Sequence, residues 1–489
     1  ANPSFDFFFF FMSLLPSERD PLEISSVRWR YGTWALWLTS WWGLKCLLWD
    51  QDARLYVLCM SLAIHLRIPP PFGQIPPLLD PLLVYMQGFS SLFCLVFGGL
   101  SLQLFVSRPS TESDLWSHSS LLLSSISCGL FSWRRTLAVD EIRTRIPVTK
   151  RLTIRRPFLT KCHPYLYYFF RQLPGHSTDD VVIERLHPQC LKVPVDVWYL
   201  PDGAPRAGVG AVQRPVLFLI HGGAWRGGEA RCTPQGPFLH ALAAEGFLIV
   251  SCEYRRRVGT VWPNQLEDCS AAWEWFIHEG AAAYNANLAD VTIAGTSAGG
   301  HLAALLLAKL LQEPPPKNLT LRAAMLFYPA LDPADRFSTP PATVRLPFSC
   351  PFLGVRYYQM SALEWFFELM VLHGNAHLWP QAEPIQQMQQ IDKERLSQWP
   401  PMFISHGDCD GIVPIEHSIN FLNRLASGST SEHSGRRSRF RSCDELLRVP
   451  GGRHTFEMIY GELSDSTYDA ALSWLHGIRS RSEKRSQSE

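Results

Sequence analysis

Hydrophobic positions along this chain fall into two regimes. In the first third they come in long unbroken runs. Tyr31 to Trp49 is a nineteen-residue apolar stretch with Lys45 as its one charge, and Leu82 to Val106 holds twenty-five residues with none. A helix rises about 1.5 Å per residue, so crossing ~30 Å of hydrocarbon takes about 20 residues, and both runs suffice. Leu55 to Leu66, between Arg54 and Arg67, suits a re-entrant or interfacial segment, while Leu115 to Trp133 is charge-free but serine-rich. Trp29, Trp34, Trp37, Trp41, Trp42 and Trp49 cluster around the first run, as an interfacial belt would. Residues 31–133 are thus predicted to be a transmembrane helical region of two to four spans. Before it lies an amino-terminal segment, 1–30, in which Met12 rather than Ala1 is the expected start.

From Val195 onward short apolar runs alternate with longer helical patterns. Strands are predicted at Val195–Leu200, Val216–Ile220, Phe247–Tyr254, Val291–Ala294, Ala323–Leu331, Met402–Ser405 and Glu445–Val449. Helices are predicted at Pro237–Glu245, Gln265–Glu279, Ala298–Leu311, Glu416–Leu425 and Thr467–His476. This alternation implies an α/β fold with mostly parallel pairing and helices on both faces of the sheet. Ala298–Leu311 carries one charge, Lys309, yet is too short to span a bilayer and reads as a helix packed under the sheet. Residues 427–442, rich in Ser, Gly and Arg, read as a solvated mobile insertion, and 479–489 as a disordered tail.

Charge sharpens this division. The net charge is +1, which by itself names no nucleic-acid or acidic partner. Residues 134–175, however, hold ten basic and two acidic side chains, among them Arg134, Arg135, Arg143, Arg145, Lys150 and Arg151. Directly after a membrane region, such a block favours the cytosolic side and contact with anionic headgroups, so 134–180 reads as a basic juxtamembrane linker. No nucleic-acid recognition module accompanies it. The expected arrangement is an integral membrane protein whose carboxy-terminal domain, 181–478, faces the cytosol. The twelve cysteines show no CxxC pair, which argues against a disulfide scaffold or zinc ribbon.

The chemistry sits in four loops, each just after a predicted strand. Gly295-Thr296-Ser297-Ala298-Gly299 joins a strand to a helix, and a serine on so sharp a turn needs small neighbours. The helix that follows aims its free N–H groups at the site, so the Ala298 amide is a candidate oxyanion donor. His221-Gly222-Gly223-Ala224-Trp225 supplies the other candidate donors, Gly222 and Gly223. His221 itself reads as orienting this loop. A serine nucleophile needs a base and an orienting acid, in the order Ser, acid, His. His454, in Gly451-Gly452-Arg453-His454, is assigned as general base, with Asp410 holding its imidazole and Asp408 the competing acid. His373 and His377 have a metal-like spacing but lack the glutamate of the zinc motif, so neither metal nor cofactor is assigned.

Together HGGAW, GTSAGG, HGDCDGIVP and GGRHTF resemble an α/β-hydrolase of the hormone-sensitive-lipase-like esterase group over residues 190–478. The resemblance is strongest to esterases with amino-terminal membrane helices. It implies a Ser297/Asp410/His454 triad, no cofactor, and ester hydrolysis through an acyl-enzyme. Two positions depart from the family pattern. Ala224 stands where a third glycine is usual, a form also similar to arylformamidases and prenylcysteine methylesterases, and Thr296 stands where Asp is common. A helical cap is expected at about 333–398, with Phe337, Phe348, Phe352, Tyr357, Tyr358, Trp365, Phe366, Phe367, Trp379 and Trp399 as pocket lining or as the cap's own core. The expected substrate is a small apolar or lipid-like ester. Alternatives are an arylformamide, a prenylcysteine methyl ester, or a catalytically silent receptor or scaffold. Oligomeric state is not readable.

Overall fold

The computed structural model describes residues 137–146 and most of 181–488, with short gaps. The apolar runs at 31–133 and the segment 1–30 lie outside the described residues. Among the described residues no helix is long and apolar enough to cross a membrane.

A helix, α1, spans residues 137–145. It is followed by β1 (Val182–Leu186), β2 (Val195–Tyr199), β3 (Arg214–Ile220), helix α2 (Gly236–Ala244), β4 (Leu248–Cys252), α3 (Asn264–Trp275), β5 (Ala286–Thr296), α4 (Ala298–Gln312) and β6 (Leu321–Phe327). Next comes an insertion holding β7 (Leu346–Cys350), β8 (Val355–Met360), α5 (Ala362–Met370), α6 (Trp379–Ala382), α7 (Pro384–Gln389) and α8 (Lys393–Ser397). The chain closes with β9 (Met402–Gly407), α9 (Glu416–Ser429), β10 (Glu445–Val449) and α10 (Glu462–Ser488).

Eight strands form one sheet in the order β1-β2-β4-β3-β5-β6-β9-β10. From β4 to β10 the pairings are parallel. The β1–β2 and β2–β4 pairs are antiparallel, so the sheet is mostly parallel, as expected, with the exception at one edge. There β1 was not foreseen, because Val182–Leu186 reads VIERL and its charged residues break the apolar run.

The central strand β3 shows why the sheet must be covered twice. Val216, Phe218 and Ile220 belong to one buried cluster, with residues of α3, α4 and the insertion. Leu217 and Leu219 belong to the other, with residues of α1, α2 and α10. Alternate side chains of a strand point to opposite faces, so a wholly apolar strand demands a layer on each side.

Three expectations need correction. Part of the presumed linker is the helix α1, whose Ala138, Val139 and Ile142 are buried, while Arg145 pairs with Glu445 at 3.0 Å. The presumed disordered tail continues α10 to Ser488. Arg479 pairs with Asp290 at 2.8 Å, and Arg322 bonds to the hydroxyl of Ser482, so the polar end is anchored rather than free. In the arginine-rich stretch, Arg441 is a structural clamp: it donates to the carbonyls of Trp399 and Pro400 and pairs with Asp444. Residues 430–439 of that stretch lie outside the described residues.

The cap is not purely helical, since β7 and β8 form an antiparallel hairpin within it. Phe367, Trp379 and Trp399 are buried, and Phe367 stacks on Trp379 at 5.1 Å, so these three are core. Phe337 and Phe352, and the side chains of Phe348, Tyr357, Tyr358 and Trp365, lie outside the described residues.

Candidate active site

Ser297 sits between β5 and α4 with φ 51° and ψ −119°, a conformation that L-residues rarely adopt. Two glycines make the turn possible. A Cβ on Gly299 would lie 2.1 Å from the Ile220 carbonyl oxygen, and one on Gly295 would lie 2.4 Å from the Gly299 oxygen. The strain is held by backbone bonds: the Ser297 amide donates to the Phe327 carbonyl at 2.9 Å, and its own carbonyl accepts from His301 at 3.1 Å.

The Ser297 hydroxyl lies 2.8 Å from His454 Nε2. His454 Nδ1 lies 2.8 Å from Asp410 Oδ2. The other oxygen of Asp410 accepts from the amides of Ile412 (2.9 Å) and Val413 (2.8 Å), which fixes the carboxylate's plane. Burial alone would push this carboxyl upward. The charge of His454 and hydrogen bonds from His406 and His454 outweigh it and hold Asp410 well below the usual carboxylate range. An ionised acceptor at Nδ1 keeps the proton there and leaves Nε2 free to accept from the serine. Asp408, the competing acid, is placed elsewhere: it accepts from the Gly451 amide at 2.6 Å and pairs with Arg448.

The glycine loop after β3 differs from expectation in one respect. The Gly222 amide donates to Thr296 Oγ1 at 2.9 Å and so is not free for a substrate oxygen. Among the described residues no hydrogen bond uses the amides of Gly223 and Ala224, and Ala298 opens α4, where amides have no intrahelical acceptor. Gly223, Ala224 and Ala298 therefore offer the available donors. Ala224 was missed as a donor because it was read only as a replaced glycine. The signal was present in Thr296, whose hydroxyl gives Gly222 an acceptor. Ala224 and Trp225 take φ values of 50° and 57°, so this loop, like the elbow, is held in strain.

Buried polar side chains hold the loop. His221 stacks on Tyr254 at 4.3 Å, donates from Nδ1 to the Gly222 carbonyl at 2.7 Å, and faces Glu253 at 3.5 Å. Burial raises the Glu253 carboxyl, but bonds from His221 and the Ala230 amide bring it down to about 2. On the other side, Trp225 donates its indole N–H to His301 Nδ1 at 3.1 Å, and His301 Nε2 donates to the Ala382 carbonyl at 2.7 Å. This tautomer is neutral, and burial lowers the imidazole to about 4. His301 thus joins the helix behind the nucleophile, the oxyanion loop and cap helix α6. Of the metal-spaced pair, His373 lies 2.8 Å from an Arg226 nitrogen. Among the described residues no three His, Cys, Asp or Glu side chains form a metal-sized group.

A mostly parallel sheet with a strained serine at one of its strand-to-helix turns, and an imidazole and a carboxylate on later loops, is an α/β-hydrolase fold. The family described by that name, alpha/beta hydrolase fold, matches residues 217–427, from β3 to α9. The chain is similar to esterase LipC of Mycobacterium tuberculosis, 27% identical over 298 residues, covering 59% of this chain and 63% of the relative. It is also similar to arylacetamide deacetylase of Oryctolagus cuniculus, 31% identical over 168 residues, 34% of this chain and 40% of the relative. Among solved structures, a bacterial heroin esterase aligns with a TM-score of 0.48 and 20% identity over 70% of this chain and 97% of that one. The matches thus span less than two thirds of the length of these curated relatives.

Proposed function

We propose that this protein is a membrane-anchored serine hydrolase that cleaves carboxylic esters of apolar or aromatic groups through an acyl-enzyme. The observation that carries the reading is the unbroken relay from Ser297 Oγ through His454 to Asp410, with both links at 2.8 Å. Nucleophile, base and orienting acid in hydrogen-bond contact are what acyl transfer requires.

His454 Nε2 takes the proton of Ser297 as Oγ attacks the ester carbonyl. The oxygen that gains charge is received by the amides of Gly223, Ala224 and Ala298. Collapse breaks the bond to the leaving alcohol, which takes the proton back from His454. A water molecule then gives its proton to His454 and attacks the acyl carbon, releasing the acid and restoring the serine hydroxyl. Asp410 stays ionised throughout and steadies the transient imidazolium.

The relatives' names support an ester or aryl-amide substrate class. The runs Tyr31–Trp49 and Leu82–Val106 support the membrane anchor, and the basic block after them supports a cytosolic catalytic domain. An anchored site meets lipid-like substrates at the bilayer surface.

The test is hydrolysis by the purified full-length protein of a panel of short, medium and aryl acyl esters beside an aryl amide and an arylformamide, with Ser297→Ala as control. Ester turnover that vanishes in Ser297→Ala supports the reading. Equal turnover by the variant refutes it, and absence of any Ser297-dependent turnover favours a silent receptor.

A further inference from the structure

Behind the catalytic imidazole lies a buried polar pair that the proposed chemistry does not use. Tyr328 follows the end of β6, with φ 38° in the left-handed region and its amide bound to the Ser405 carbonyl at 2.7 Å. Its ring packs against His454 with centroids 4.7 Å apart at 63°, and its hydroxyl donates to Glu457 Oε1. Glu457 lies three residues beyond His454 in a single 3-10 turn, Phe456–Met458. The same oxygen accepts from Gln235 Nε2 at 3.2 Å, at the start of α2. Its other oxygen is buried with no hydrogen-bond partner among the described residues.

Two features set this pair apart from ordinary packing. Burying a carboxyl oxygen away from hydrogen-bond donors is unfavourable, so stability alone would favour an apolar residue at 457. The imidazole also needs a third restraint. The bond at Nε2 is broken and remade as the proton moves, so during the cycle the ring is held at Cβ and Nδ1 and can tilt about the line through them. The Tyr328 ring lies against that remaining freedom, and its hydroxyl tether stops it from swinging away.

We propose that Tyr328 and Glu457 are a positioning pair, in which Glu457 anchors the ring that keeps the imidazole of His454 aligned with Ser297 and Asp410. The inference rests on the serine-hydrolase reading above. Burial pushes the Glu457 carboxyl up to about 7 despite the Tyr328 bond, and either protonation state keeps an oxygen that accepts from the Tyr328 hydroxyl. Glutamine has the same shape and keeps an oxygen for the Tyr328 hydroxyl, whereas leucine removes it.

The test is steady-state ester hydrolysis by the full-length protein, with kcat taken per active site titrated by a fluorophosphonate, so that unfolded molecules drop out. Tyr328→Phe and Glu457→Leu are each expected to lower kcat about tenfold with KM within about twofold, since alignment of the base matters after substrate is bound. Glu457→Gln is expected to recover most of what Glu457→Leu loses. The Tyr328→Phe, Glu457→Leu double variant should be no worse than either single one, because both break one tether. Additive losses, a change confined to KM, unchanged kcat in Tyr328→Phe, or Glu457→Gln as impaired as Glu457→Leu would each overturn the pairing. Ser297→Ala run beside these variants separates the two claims. If it is inactive while Tyr328→Phe is normal, the positioning pair alone fails; if it stays active, the hydrolase reading fails and takes the pair with it.

Discussion

Replacing His301 by leucine probes how the oxyanion loop is held. In the parent, one neutral imidazole accepts from the Trp225 indole N–H and donates to the Ala382 carbonyl. Leucine fills a similar volume but leaves both partners buried and unpaired, at about 1–3 kcal/mol each. Some repacking of the new side chain against Phe367 and Trp262 offsets this, so the expected loss is ~2–5 kcal/mol. Thermal unfolding followed by tryptophan fluorescence should show a fall in Tm of several degrees. Activity should fall as well. Trp225 and Ala224 hold unfavourable backbone angles, and freeing the indole allows the loop to relax, drawing the Ala224 amide from the oxyanion position. A tenfold or greater loss in kcat is expected, of the size seen when an oxyanion donor is displaced. A variant with Tm within one or two degrees of the parent and kcat within about twofold would show that the loop does not depend on this network.

Further outcomes follow from other contacts. Thr296→Val strands the Gly222 amide and should lower kcat about tenfold, while Thr296→Ser keeps the acceptor and should lie near the parent, measured by ester turnover. Gly299→Ala places a methyl group 2.1 Å from the Ile220 oxygen, so soluble, probe-reactive protein should be nearly absent on expression. Two buried groups should contribute opposing pH dependences of stability between about pH 4 and 7. His301 is lowered from 6.5 to about 4, so the folded state binds fewer protons there; its contribution is complete above pH 6.5 and ~3 kcal/mol is lost as pH falls toward 4. Glu457 is raised from 4.5 to about 7, so its contribution is complete below pH 4.5 and ~3 kcal/mol is lost as pH rises through 7. The two contributions oppose each other between about pH 4.5 and 6.5, so Glu457→Gln should leave that of His301 uncompensated and make Tm rise more steeply with pH across that range; a slope identical to the parent's contradicts this.

What the sequence revealed divides by range. The elbow, the glycine loop and the acid and histidine loops were legible because each needs particular small or titratable residues within a few positions of a strand end. Most strands from Val195 onward were legible because burial on both faces makes them continuously apolar. Partnerships across the chain were not. The Thr296 hydroxyl meets Gly222 only after β3 and β5 pair, and Glu457 meets Tyr328 only after β10 joins the sheet beyond β9. Neither leaves a local signature. β1 escaped because Glu184 and Arg185, on opposite faces of an edge strand, interrupt the apolar run, and their partners Tyr199, Tyr284 and Asp196 lie on other elements. The tail was misread because its composition is that of a disordered segment, while its anchors, Asp290 and Arg322, lie far earlier in the chain.

Whether Ser297, activated through His454, is the nucleophile is decided by mapping a covalent adduct. The full-length protein is treated with a fluorophosphonate, the modified peptide is located by mass spectrometry, and the labelling rate is compared with that of His454→Ala. One adduct is expected, on Ser297, with labelling slowed at least about a hundredfold in the variant. An adduct on another residue, or equally fast labelling without the imidazole, would contradict it.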